Sequence, residues 1–238
     1  MLAPMALHLL PSAPIAPDAL LPGDPGRAMA LAQLLFADTP KMSNHNRGLW
    51  GYYGETPQGR PLTIQSTGIG GPSAALVLQE LVQLGVRRAI RVGTCGAVKD
   101  GLELGDLVVA NASLSMDGAS RRLQGEEIVT ADPALTAALG DAAGTEPALV
   151  ATVDLFYDPD PDWRTELSAR GAAAVEMEAA SLFALGGVLD IPVGCVLAVT
   201  DVFETGRRER IGKDELAKDV PERLGRAAVA ALEASSAA

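Results

Sequence analysis

The chain has 238 residues and a formal net charge of −11, which leaves room for one large domain and disfavours nucleic acid or an anionic membrane as the main partner. Hydrophobic residues make up 48% and charged residues 21% of an ordinary globular composition, while aromatics at 4% leave a core of aliphatic and alanine side chains. With only Cys95, Cys195 and two histidines, neither a disulfide framework nor a zinc site is expected, and a reducing, cytoplasmic setting fits.

The segment before Pro17 is proline-rich and reads as an extended arm. It lacks the basic start of a signal peptide, and no apolar run reaches the ~18–20 residues of a membrane span. A short strand over 19–21 leads into Pro22-Gly-Asp-Pro-Gly-Arg27, where Asp24 is placed to cap and Pro25 to open a helix over 25–36. Arg27 in the first turn is a cation where the helix dipole disfavours one, so either an anion sits at that helix start or the arginine is solvated. The polar stretch over 41–54 carries His45 and Arg47 and reads as a hairpin or surface loop. A strand over 60–66 ends in Thr67-Gly-Ile-Gly-Gly-Pro-Ser73, which lacks the third glycine of a dinucleotide fingerprint. The helix that follows, over 72–84, has apolar positions 74, 77, 78, 81 and 84 on one face, and Gly85 closes it.

Arg88-Ala-Ile-Arg-Val-Gly-Thr-Cys-Gly-Ala97 comes next. Its apolar run reads as a buried strand bounded by glycine. Arg91 is costly inside such a run unless an anion meets it or a nearby Asp or Glu pairs with it. The turn after it offers the Thr94 hydroxyl and glycine N–H groups, a combination suited to phosphate at the carboxyl end of a strand. Strands are expected over 105–116 and 148–156, with a helix over 133–144 between them and a polar helix over 163–170 after them. A helix over 172–183 then carries Glu176 and Glu178. Glu178, among Met177, Ala179, Ala180, Leu182 and Phe183, needs hydrogen-bond donors. A sugar diol or a core arginine would supply them. The apolar run over 191–199 reads as a central parallel strand delivering Thr200-Asp201, followed by a charged loop over 204–210 and a helix over 219–234. The alternation of strands and helices predicts one α/β domain over residues 1–238, a mixed central β-sheet flanked by helices.

Taken together, these segments resemble the nucleoside phosphorylases of the bacterial hexameric type. The resemblance rests on Leu21-Pro-Gly-Asp-Pro-Gly-Arg27, Gly68-Ile-Gly-Gly-Pro-Ser73, Arg91-Val-Gly-Thr-Cys-Gly-Ala97, Asp154-Leu-Phe-Tyr157, Val175-Glu-Met-Glu-Ala-Ala180 and Thr200-Asp201, in the family's order along nearly the whole chain. It implies that Gly23, Arg27, Arg91 and Thr94 bind phosphate, with Arg47 reaching the phosphate of a neighbouring subunit. Glu176, Met177 and Glu178 would face the ribose, and His8 would contact its 5′ hydroxyl across a dimer interface. Cys95, Gly96, Phe156 and Val175 would line the base pocket. Asp201 would protonate the departing purine, with Arg210 of Arg207-Arg-Glu-Arg210 as its nearest arginine. The resemblance further implies a homohexamer built as a trimer of dimers, a nucleoside and inorganic phosphate as substrates, and neither cofactor nor metal.

The implied reaction is phosphorolysis of purine nucleosides to free base and pentose 1-phosphate. Thr67 to Ser73 and Met116-Asp-Gly-Ala-Ser120 are similar to the uridine phosphorylases. However, the connection between Tyr157 and Glu176 offers no uracil-reading pair beyond Arg164 and Arg170, and Asp201 favours purines. A phosphate-independent nucleosidase would have no need of three arginines, and a non-catalytic binding module would not explain Glu178 and Asp201. The choice between 6-oxopurine and adenine stays open at this level.

Overall fold

The computed structural model describes residues 6–204 and 207–235. In chain order it comprises β1 (Asp18–Leu21), α1 (Pro25–Leu35), β2 (Lys41–Asn44), β3 (Gly51–Glu55), β4 (Pro61–Gln65), α2 (Gly71–Gln83), β5 (Arg88–Ala97) and β6 (Leu107–Met116). There follow α3 (Gly118–Leu123), β7 (Ile128–Thr130), α4 (Pro133–Ala143), β8 (Ala148–Val153), α5 (Trp163–Ala169) and β9 (Ala174–Glu176). The last elements are α6 (Ala179–Leu189), β10 (Val193–Glu204), β11 (Arg207–Arg210), α7 (Lys213–Ala217) and α8 (Asp219–Ala234).

The strands join one mixed sheet, as the alternating pattern predicts. β5 pairs in parallel with β1 on one side and β10 on the other, and β1 continues through β4 to the β3–β2 hairpin. β10 also pairs with β6, β6 with β8, β8 with β9, and β9 returns to β5. Five strands therefore close into a ring. This closure leaves the carboxyl ends of β1, β4, β5 and β10 side by side, the place where open α/β sheets take ligands.

Strand alternation sorts the core into two layers. Ala19, Leu21, Ala89, Cys195, Leu197 and Val199 face α2 and α6, where Val77, Leu78, Leu81, Leu182 and Phe183 meet them. Leu20, Ile90, Val92, Val196 and Ala198 face the other way, onto Leu31 and Leu35 of α1, Leu135 and Leu139 of α4, and Leu224 and Leu232 of α8. Asp24, Asp117 and Asp132 cap α1, α3 and α4, each accepting from a backbone N–H three residues on.

Three expectations fail. The helix expected over 172–183 is instead β9 followed by α6, and Glu176 is a strand residue. The Glu176 carboxylate accepts from the N–H groups of Glu178 and Ala179, which fixes the start of α6 behind it. β9 is taken up by β5 and β8, and an alanine-rich run adapts to either state, so strand pairing decides. The loop expected over 204–210 is the β10–β11 hairpin, with Asp201 opposite Arg210 and Phe203 opposite Arg208; its residues 205 and 206 lie outside the described residues. The strand expected to reach Phe156 ends at Val153. Part of the expected N-terminal arm, residues 1–5, also lies outside the described residues.

Candidate active site

A cleft of about 840 Å³ opens at the carboxyl ends of β1, β5 and β10. Its floor is built around Arg91, which is 3% exposed. By alternation the side chain takes the same face as Ala89 and Cys95. Its Nε donates to Glu176 Oε2 at 2.8 Å, and one terminal nitrogen pairs with Glu178. The other, Nη1, is buried without a hydrogen-bond partner among the described residues. Burial lowers the Arg91 guanidinium, but Glu178 and Glu176 outweigh it and hold it well above its ordinary value. Arg91 is therefore a permanent buried cation with one donor to spare.

β1 ends beside it, with Leu21 in register with Arg91, and delivers Gly23 and the N-terminus of α1. Arg27 enters the cleft from that first turn, and its side chain forms no ion pair or hydrogen bond among the described residues. Burial pulls Arg27 below its ordinary value; Asp24 works against this, and nearby Arg91 adds to it. Two guanidinium groups lining one cavity, one of them without an ion-pair partner among the described residues, suit an anion. The Thr94 hydroxyl lines the same cavity. Gly93 is what lets Arg91 lie flat there, since a Cβ at that position would be 2.8 Å from the guanidinium carbon and 3.0 Å from Leu197 Cδ2. Gly93→Ala is expected to displace Arg91, cost about 1–3 kcal/mol of stability, and weaken anion binding. Thermal melts with and without inorganic phosphate check both effects.

Glu178 caps the other wall at the start of α6. It is 5% exposed, accepts from the Gly70 N–H at 2.6 Å, and pairs with Arg91. Gly70 sits at φ 88°, a left-handed conformation that suits glycine and aims its N–H at the carboxylate. Both readings of Glu178 thus hold some ground: a core arginine meets it, and it still borders the open cleft. Met177 lies beside it on the same wall.

Glu176 behaves differently. Its side chain is wholly enclosed, and its oxygens accept from Arg91, Thr152 and the Glu178 and Ala179 amides. It stands behind Arg91 and Glu178 and fixes both.

At the far end of the cleft Asp201, 5% exposed, follows a β-bulge between Val199 and Asp201 that turns it beside Gly96. Thr200 donates to its Oδ2 at 3.0 Å, and the Nε atoms of Arg208 and Arg210 each lie 2.8 Å from its Oδ1. The expected Arg210 is there, but it is mostly exposed and does not line the cleft; Arg208 does. Arg208 was not singled out in the sequence, although Arg208 and Arg210, two residues apart, carry the spacing of one strand face. Its guanidinium lies 4.8 Å from the Phe156 ring centre and 5.8 Å from that of Phe203. Phe156, Val175, Gly96 and Cys95 form an apolar pocket around this end. Burial pushes the Cys95 and Cys195 thiols well above their ordinary range, so they pack as neutral groups.

Three of the expected residues lie outside this cleft: His8, Arg47 and Arg210. The arm carrying His8 is clamped to α2, where Glu80 accepts from the N–H groups of Leu7, His8 and Leu9 and lies 2.7 Å from His8 Nδ1. Arg47 is exposed in a turn at φ 57°, a left-handed conformation seldom adopted by a residue other than glycine. Arg164 and Arg170 are tied to Asp100 and Glu127, and neither lines the cleft. No helix among the described residues is long and apolar enough to cross a membrane.

Residues 17–235 match the phosphorylase superfamily. The chain is 34% identical over 226 residues to the guanosine phosphorylase of Halorubrum lacusprofundi, covering 91% of this chain and 92% of that one. It is 36% identical over 212 residues to a DeoD-type purine nucleoside phosphorylase of Clostridium beijerinckii, covering 85% and 88%, and 37% identical over 213 residues to that of Geobacillus kaustophilus, again covering 85% and 88%. The carboxyl-end cleft and the match along nearly the whole chain agree: the chain belongs to the phosphorylase superfamily.

Proposed function

We propose that this chain is a pentosyltransferase that cleaves purine nucleosides with inorganic phosphate, giving free base and pentose 1-phosphate. The observation that carries the reading is the pair Arg27 and Arg91, which line one cavity that Glu178 and Asp201 also border. Phosphate is held by Arg27, Arg91, Thr94 and the backbone around Gly23, under the sugar. Glu178, with Met177 against the ring, accepts from the 2′ and 3′ hydroxyls, for which an ionised carboxylate has lone pairs to spare. The base lies among Cys95, Gly96, Phe156 and Val175.

As the C–N bond lengthens, positive charge develops at C1′. The bound phosphate stabilises that charge and then attacks C1′, so both reactants are held before the chemistry starts. The electron pair of the broken bond goes to the base, and Asp201, supported by Arg208 and Arg210, manages the proton that the base needs at N7. No organic cofactor or metal enters this scheme.

His8 and Arg47 do not reach their own chain's cleft, so their roles require a second subunit. This fits a homohexamer assembled as a trimer of dimers in which each supplies the neighbour's site. A cytoplasmic nucleoside-salvage role follows from the same reading.

The test is to incubate the protein with inosine, guanosine, adenosine and uridine, with and without phosphate, and to follow free base and pentose 1-phosphate. Purine release that depends on phosphate is the expected result. Release that ignores phosphate would favour hydrolysis, release from uridine alone would favour pyrimidine specificity, and no release would favour a binding module.

A further inference from the structure

We propose that Arg208 selects among purines, donating to O6 of a 6-oxopurine beside the N7 that Asp201 serves, and disfavouring the 6-amino group of adenine. The proposal rests on the purine reading above and adds which purine class the site takes and which residue decides.

Three observations converge on Arg208. It lines the base end of the cleft, where Arg210, bound to the same Asp201 oxygen, does not. Its Nε is committed to Asp201, and its guanidinium carbon lies over the Phe156 and Phe203 rings. Its two terminal nitrogens carry no hydrogen bond or ion pair among the described residues. A donor group that cannot accept thus borders the pocket, with both terminal nitrogens uncommitted among the described residues.

The chemistry then discriminates. Guanidinium donates and never accepts. A 6-oxopurine presents O6, a carbonyl acceptor with two lone pairs, next to the N7 that Asp201 serves, and a terminal nitrogen of Arg208 can donate to it. Adenine keeps N7 but replaces O6 with an NH₂ donor, which faces that nitrogen donor to donor. A carboxylate could rescue adenine by accepting from that NH₂. Asp201 does not fill that role, because two arginines meet Oδ1 and Thr200 donates to Oδ2, and the one position left on Oδ2 is the one that serves N7.

Steady-state kinetics of the full chain at saturating phosphate, with inosine, guanosine and adenosine, test this. The wild type is expected to favour inosine and guanosine over adenosine in kcat/KM by roughly 10- to 100-fold. In Arg208→Gln, whose amide both donates and accepts, that preference should shrink to roughly threefold or less while the KM for phosphate stays put. Arg208→Met, which removes every donor at similar length, should also lose most of the preference, and it serves if the glutamine variant folds poorly. Arg210→Gln should slow both substrate types together and keep their ratio. Equal wild-type efficiency on adenosine and inosine, or an Arg208→Gln enzyme that retains the ratio, overturns the proposal. Cleavage of uridine but no purine overturns the underlying reading instead, and the two failures are told apart in the same assay.

Discussion

Arg91→Leu is expected to lower kcat/KM for phosphate by about 10²–10³-fold and to destabilise the fold. Arg27→Ala, by contrast, should raise the KM for phosphate by about 10- to 100-fold with little change in melting temperature. The contrast follows from what each guanidinium does without ligand. Arg91 neutralises two buried carboxylates, Glu176 and Glu178. Removing it leaves both uncompensated, and breaking such a buried pair costs about 3–5 kcal/mol. Arg27 has no side-chain partner to abandon among the described residues. Phosphate saturation curves and thermal melts on both variants separate the roles. An Arg91→Leu protein that melts early yet saturates normally with phosphate would reduce Arg91 to a structural ion pair. An unaltered phosphate KM in Arg27→Ala would remove the anion site.

The same two arginines explain why much of the site was legible in the sequence. A cation within a strand and another in a helix's first turn both violate simple rules of burial and dipole, and each marked a real position in the cleft. Glu178 stood out for the same reason, as an acid among apolar neighbours. What could not be read depended on pairing between distant strands. Residues 172–183 look helical because alanine suits helices; only the neighbouring edges of β5 and β8 draw Ala174–Glu176 into the sheet. That choice reassigns Glu176 from a helix face to a support behind Arg91. Arg208 was hidden for a related reason. Its meaning comes from the β10–β11 register, which sets it across from Phe203 and on the face of Asp201, and from Phe156, which arrives on a loop after β8. His8 and Arg47 lie outside the cleft of their own chain.

Asp201→Asn is expected to slow phosphorolysis of inosine by about 10²–10⁴-fold, the range for a lost proton-transfer group. A nucleoside whose base leaves without needing a proton, such as 7-methylinosine, should lose much less. The carboxylate lines the base end beside Gly96 and Arg208, and Thr200, Arg208 and Arg210 converge on it. Asparagine keeps the shape and the contact with Thr200 but loses the charge that holds both arginines. Damage confined to orientation would therefore slow both substrates alike, because a misplaced Arg208 harms binding whatever the leaving group. Damage to proton delivery would fall on inosine alone, since its base must gain a proton at N7 as the bond breaks while the methylated base already carries the positive charge. Parallel kcat measurements on the two nucleosides decide the matter: a drop shared equally between them would assign Asp201 the positioning of Arg208 and deny it the proton.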